Sequence, residues 1–343
     1  MMKAVVLRTF GDSDTLEYGD VPKPTPGPGE VLVKVDCCGV CHLDMILRKG
    51  MRSRLKLPRI LGHELAGSVE SVGEGVQEFR TGDRVTSFNF QACGTCPDCR
   101  RGHPSLCRNA SGDIGQTRDG GYAEYTCLRA GNLVKIPGDM PFEHACFAAC
   151  VFGPPYKALR QVGQVQAGQW VVITGASGGL GLASIQMTRA LGANSIAITS
   201  DESKAEALRK AGADHVVINR DGSFGEDVRK LTGGRGADLV VELIGSPTFG
   251  GSLRSLAPGG RCAVIGELHG TPVQINLGLL IIKEWEIHGV QSASRDELSE
   301  ILAFMHEHGI EPTIWRRLPL SQAAQAHRLL EERAVIGRLL LTP

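Results

Sequence analysis

Cys93, Cys96, Cys99 and Cys107 follow one another with the spacing C-x2-C-x2-C-x7-C. Thiolates this close, with Gly94, Pro97 and Gly102 as turn formers between them, can wrap one tetrahedral Zn²⁺. An iron–sulfur cluster takes the same ligands, but the Cys-Pro ending of the bacterial ferredoxin run is absent. A full set of thiolates leaves no open coordination position, so this metal is expected to be structural, holding a lobe with little core of its own. A second group is dispersed: Cys41 in GVCHLD, His63 with Glu64 in GHELAG, and Cys150 in AACVFGPPYKAL, with Cys146 as a rival to Cys150. Cysteine, histidine and cysteine leave a coordination position open for water or substrate, where a zinc acts as a Lewis acid. A third motif is glycine-rich. In TGASGGLG, residues 174 to 181, Gly175, Ser177, Gly178, Gly179 and Leu180 form a loop whose backbone N–H groups can meet a pyrophosphate at a helix N-terminus.

The elements around these motifs change character along the chain. Up to about residue 150 the sequence reads as β, with strands expected at 3–8 and 31–36 and short runs such as DRVTSF between Gly turns. Beyond Gly153 strands alternate with helices: WVVIT, then GASGGLG opening a helix, SIAIT, SKAEALRKAG, HVVIN, EDVRKLTGG, DLVVELI, TFGGSLRSLAPGG and RCAVIG. That alternation implies βαβ units and a parallel sheet. Two further helices, at 296–308 and 321–333, and a closing strand RLLLT complete the chain.

Composition narrows the classes. The 343 residues carry 37 basic and 37 acidic side chains, which gives no support to a nucleic-acid or membrane-surface role. The N-terminal apolar run, Ala4 to Leu7, is too short for a signal-peptide core, and no apolar stretch approaches a membrane span. A cytoplasmic location is expected. There cysteines stay reduced, so the eleven present call for a metal or catalytic reading before a disulfide one.

Taken together and in order, the motifs resemble the zinc-dependent medium-chain dehydrogenase/reductase superfamily, that of the alcohol dehydrogenases, over essentially the full length. GVCHLD and GHELAGSVESVGEGV resemble its zinc-ligand motifs, the cysteine lobe its structural zinc site, and GASGGLG its nucleotide loop. The resemblance implies an α/β fold in two domains: a Greek-key-like, GroES-like catalytic domain over 1–152 and 290–343, and a Rossmann doubly wound parallel-sheet domain over 153–289. It implies one catalytic zinc on Cys41, His63 and Cys150, with Glu64 able to approach as a transient ligand. Asp44 would accept the free ring N–H of His63 and fix its tautomer. His42 and Arg338 would approach the cofactor phosphates, and Ile265, Gly266 and Gln291 would line the nicotinamide pocket. The implied activity is hydride transfer between NAD(P)(H) and an alcohol/aldehyde or ketone pair.

Two departures sharpen the expectation. Family members usually carry Ser or Thr, the start of a proton relay, where this chain has Leu43; water or His42 takes over, or the substrate does not need the relay. The region from Cys150 through ITGASGG, with SPTFGGSLRSLAPGG, is also similar to an acryloyl-thioester reductase branch, in which hydride goes to an activated C=C; this is the alternative activity. The acid that would accept the adenosine ribose of NAD is replaced by Thr199 and Ser200 at the end of SIAIT, with Asp201 slightly later. Thr199, Ser200, Lys204 and Arg220 could hold a 2′-phosphate, so NADP(H) is favoured over NAD(H). Asp201 reaching the ribose would reverse that choice. The stretch from Leu277 to Trp285 resembles the place where relatives pair cofactor-domain sheets, which points to a homodimer or homotetramer.

Overall fold

The computed structural model describes residues 1–51, 55–267 and 270–343. It divides into two compact units, Met1–Cys150 with Ala293–Pro343, and Val151–Ser292.

The first unit is built on strand Glu30–Val40, in which Val31, Leu32, Val33 and Val35 are buried while Lys34 and Asp36 face outward. This strand was expected at 31–36. It runs on to Val40 because the apolar residues Cys37, Cys38 and Val40 continue its buried face, and the extension delivers Cys41 to the sheet end. A seven-stranded sheet has the order Ile314–Pro319, Arg338–Thr342, Glu30–Val40, Glu64–Val72, Arg84–Ser87, Leu133–Lys135, with Tyr125–Arg129 also pairing with Glu30–Val40. Its pairings are antiparallel except that between the two C-terminal strands. A three-stranded sheet of Leu16–Val21, Met2–Leu7 and Arg59–Ile60 packs into the same core. The C-terminal segment belongs to this unit through helix Ala323–Glu331 and strand Arg338–Thr342, both of which contribute buried residues to that core.

In the second unit six parallel strands lie in the order His215–Ile218, Asn194–Thr199, Trp170–Ile173, Ala237–Glu242, Leu256–Val264, Glu286–Gly289. Counted along the chain this is 3-2-1-4-5-6, the doubly wound nucleotide-binding order. The central strand is inaccessible at Val171, Val172 and Ile173, as a strand covered on both faces must be. Two helix expectations change. The helix expected through LAPGG ends at Ser255, and Leu256–Val264 is strand; Pro258 is accommodated there by a register shift against Ala237–Leu239. The helix expected in SKAEALRKAG begins as a 3₁₀ turn, Glu202–Lys204, and is helical over Ala205–Lys210. Among the described residues no helix is long and apolar enough to cross a membrane, and all eleven cysteines are free thiols.

Candidate metal and cofactor sites

Register brings the dispersed ligands together. Leu339 pairs with Val40 and Gly39 with Glu64, so Arg338, Cys41 and His63 emerge side by side at one sheet end. Gly39 is required there: a Cβ would lie 2.4 Å from both Glu64 Oε2 and the Phe147 ring. Gly62, at φ +93°, puts the chain in the left-handed region, and a Cβ would strike the Tyr122 ring at 2.4 Å. Cys150 arrives on the helical turn Ala148–Phe152.

The ligand atoms of Cys41, His63, Glu64 and Cys150 lie within 4.8 Å of one another. Cys41 Sγ is 3.9 Å from Cys150 Sγ, and Cys150 Sγ is 3.6 Å from His63 Nε2. Ordinary zinc bond lengths in a tetrahedron give edges of about 3.8 Å and about 3.6 Å, so the donor set fits a zinc ion. Cys146, the rival, instead turns its thiol to the Glu143 carbonyl at 3.5 Å. His63 Nδ1 lies 3.2 Å from Asp44 Oδ1, which leaves Nε2 facing the thiols. Asp44 sits in the first turn of helix His42–Arg48, and its Oδ2 also accepts the Cys41 N–H at 3.0 Å. The Cys150 thiol beside it, helped by the Arg338 guanidinium, holds Cys41 well below the usual thiol range. Burial pushes Glu64 up to about 7, against the pull of Arg338. Glu64 Oε2 is buried with no hydrogen-bond partner among the described residues, an acceptor facing the cluster. Arg338, expected at a cofactor phosphate, is placed on Glu64: its Nη2 donates to Oε1 at 2.9 Å, and Arg338 is 6% exposed. His42 opens the helix with an exposed side chain, and Leu43 is half-buried against the core.

The cysteine lobe shows the same edge lengths. Cys96 Sγ lies 3.5 Å from Cys99 Sγ and 3.9 Å from Cys107 Sγ. The backbone N–H groups of Thr95 and of Cys96, the latter 3.3 Å from Cys93 Sγ, bring Cys93 down to about 6. Cys93, Cys96, Cys99 and Cys107 therefore also fit one tetrahedral ion.

In the second unit the glycine loop runs from strand Trp170–Ile173 into helix Gly179–Ala190. Gly175, at φ +55°, makes the turn, and a Cβ on Gly181 would meet the Ala176 carbonyl at 2.4 Å, so the helix can start only this close to the strand without a side chain there. Gly178 is extended and exposed immediately before the first helical turn, and Ser177, Gly179 and Leu180 are half-buried around it. This arrangement can cradle a pyrophosphate. Thr199 pairs with Ile218, which brings Ser200 beside Arg220, whose Nε donates to the Ser200 carbonyl at 3.1 Å. Asp201 Oδ1 is engaged within its own turn by Ser203 N at 3.0 Å and Oγ at 2.7 Å. Lys204 ends that turn, half-buried. The N–H groups of Ile265 and Gly266 bond the Glu242 carbonyl at 2.9 and 3.2 Å, and Gln291 is exposed beyond the last strand.

The sequence reading missed Arg48, Tyr122, His327 and Glu242, all fully buried. The only sequence signal for His327 is that it shares a helix face with the buried residues Ala323 and Ala326.

Comparison with known proteins agrees with this geometry. Residues 27–138 match the model of the alcohol dehydrogenase GroES-like domain, and residues 179–307 that of the zinc-binding dehydrogenases. The chain is 34% identical to the acryloyl-coenzyme A reductase of Sulfurisphaera tokodaii, covering 100% of both chains. It is also 34% identical to an alcohol dehydrogenase of Geobacillus stearothermophilus, covering 99% of each. Among solved structures, that of AibC superimposes with a TM-score of 0.95 at 45% identity, covering 100% of this chain and 96% of that one. A GroES-like unit, a 3-2-1-4-5-6 parallel sheet and full-length relatives at this identity place the chain in the zinc-dependent medium-chain dehydrogenase/reductase superfamily, an oxidoreductase family.

Proposed function

We propose that the chain is an NADPH-dependent reductase of a C=C bond conjugated to a carbonyl, with an enoyl thioester as the substrate class. The observation that carries this reading is Leu43, the apolar residue two positions beyond Cys41. Reduction of a ketone or aldehyde ends with a proton on the oxygen held at the metal, and leucine has no proton to give. Reduction of the conjugated bond places hydride on the β carbon and a proton on the α carbon, away from that oxygen, where water can supply it. A zinc ion on Cys41, His63 and Cys150 would supply Lewis acidity toward the carbonyl oxygen. Asp44 holds the His63 ring so that Nε2 faces the ion. Arg338 holds Glu64 beside it. Gly175, Ser177, Gly178, Gly179 and Leu180 would bind the pyrophosphate, with Ile265, Gly266 and Gln291 toward the nicotinamide. Ser200 and Arg220, with Thr199 and Lys204, would take the 2′-phosphate; Asp201 is occupied by Ser203, which supports NADP(H) over NAD(H).

The alternative reading, an alcohol dehydrogenase or carbonyl reductase, is supported by the equal identity to the Geobacillus enzyme. The separating experiment offers crotonyl-coenzyme A, and separately cinnamaldehyde and its saturated analogue, with NADPH or NADH, and identifies the products. Saturated thioester and saturated aldehyde are expected. Cinnamyl alcohol with the double bond intact, or NADH outperforming NADPH by about tenfold, would overturn the respective assignment.

A further inference from the structure

A buried hydrogen-bonded chain leads away from His63, and its direction can be worked out atom by atom. Asp44 Oδ2 accepts from the Tyr122 hydroxyl at 3.1 Å. The same hydroxyl lies 3.2 Å from His327 Nε2. On the far side of that ring, His327 Nδ1 lies 3.4 Å from Arg48 Nη1. Arg48 also donates through Nε to the Gly11 carbonyl at 3.1 Å and through Nη2 to Glu331 at 2.6 Å. Arg48, Asp44, Tyr122 and His327 are each 0% exposed, and His63 is 1% exposed, so water does not compete for these bonds.

A guanidinium has donors only. Arg48 therefore makes His327 Nδ1 an acceptor, and the ring proton sits on Nε2. That N–H donates to the Tyr122 oxygen, so the Tyr122 proton has one acceptor in reach, Asp44 Oδ2. Asp44, receiving Tyr122 and the Cys41 N–H on Oδ2 and the Gly62 N–H at 3.4 Å on Oδ1, is held as an acceptor toward His63 Nδ1. His63 must then carry its proton on Nδ1 and turn an unprotonated Nε2 to the thiols. Burial keeps His327 itself neutral, its pKa brought down to about 4 with Arg48 adding to the effect, which is the protonation state the chain requires.

We infer that Arg48, His327 and Tyr122 are positioning residues for the catalytic metal: they fix the tautomer of His63 through Asp44, so that helix Ala323–Glu331 from the C-terminal segment takes part in zinc retention. This rests on the reading of Cys41, His63 and Cys150 as zinc ligands. The chain reaches none of the reacting atoms and acts only through Asp44 and His63.

The test uses the zinc-loaded full chain. Zinc transfer to a chromophoric chelator is followed for wild type, Tyr122→Phe, His327→Leu and the double variant, with Cys150→Ala identifying the phase that belongs to the cysteine lobe. Wild type should release two zinc ions per chain in separable phases; one ion only would overturn the zinc reading itself. Tyr122→Phe, which removes a single oxygen, and His327→Leu should each speed the catalytic phase about tenfold and leave the lobe phase unchanged. The double variant should be no faster than the singles, because both break one chain. If wild type holds both ions and Tyr122→Phe releases the catalytic one at the wild-type rate, or if both phases accelerate together, the inference fails while the ligand assignment stands.

Discussion

On the reading proposed above, the side chain at position 43 chooses between two chemistries. A hydroxyl there would give a proton path from an oxygen at the metal, and general acid–base groups of this kind contribute roughly 10²–10⁴-fold. Leu43→Ser is therefore expected to raise carbonyl or alcohol turnover at least about tenfold and to leave conjugated C=C reduction within about twofold, read from product ratios with an enal substrate. Unchanged ratios would remove Leu43 as the determinant. His327 makes a second prediction at this scale. Its pKa falls to about 4 when folded, from an ordinary 6.5, chiefly through burial, with Arg48 adding and Asp44 and Glu331 opposing. Above 6.5 both folded and unfolded chains hold a neutral ring. Between 6.5 and 4 only the unfolded chain takes up the proton, so stability is full above 6.5 and declines as pH falls, by on the order of 3 kcal/mol in total. Denaturant titrations at about pH 7.5 and about pH 5 should show roughly 2 kcal/mol of that loss in wild type and a smaller one in His327→Leu. Equal losses would mean that other groups dominate.

Among the elements, the strand ends do the positioning, and one buried carboxylate ties several of them together. Glu242, at the end of strand Ala237–Glu242 and 0% exposed, accepts from Thr174 Oγ1 at 2.8 Å, from the N–H groups of Ile244 and Gly245 at 2.9 Å each, from Thr248 Oγ1 at 2.7 Å and from Ser252 Oγ. It thereby joins the strand before the glycine loop to helix Ser246–Ser255. Glu242→Gln removes the negative charge that these five donors share and should cost about 1–3 kcal/mol, with weaker nucleotide binding. Calorimetry and cofactor titration check this; an unshifted melting curve would show that the loop is held by other means. The parallel alternation was legible because buried runs such as WVVIT and SIAIT alternate with helix-period segments. The boundary errors at Leu256 and Glu202 arose where Pro258 and a 3₁₀ turn override local periodicity, which pairing with neighbouring strands decides.

Over the whole molecule, helix Leu277–Lys283 presents Leu277, Leu279, Ile281 and Ile282 at 42–76% exposure, next to the edge strand Glu286–Gly289. An apolar patch beside a strand edge suits an association surface, and it is where the expected homodimer or homotetramer would pair its subunits. Ile281→Lys combined with Ile282→Glu should halve the mass seen by light scattering while leaving zinc content unchanged; an unaltered mass would place the interface elsewhere. The sequence by itself determined the family, the alternation of the cofactor unit and the two sets of metal-type residues, because ligand chemistry and glycine turns are written in residue identity and short spacing. The Cys150 that the resemblance implied does turn to His63, but only the tertiary structure decided that Arg338 meets Glu64 and that Arg48, Tyr122 and His327 stand behind Asp44. Those contacts join residues up to 283 positions apart in the chain, and the direction of their hydrogen bonds depends on which buried groups can donate, a property no single stretch of sequence carries.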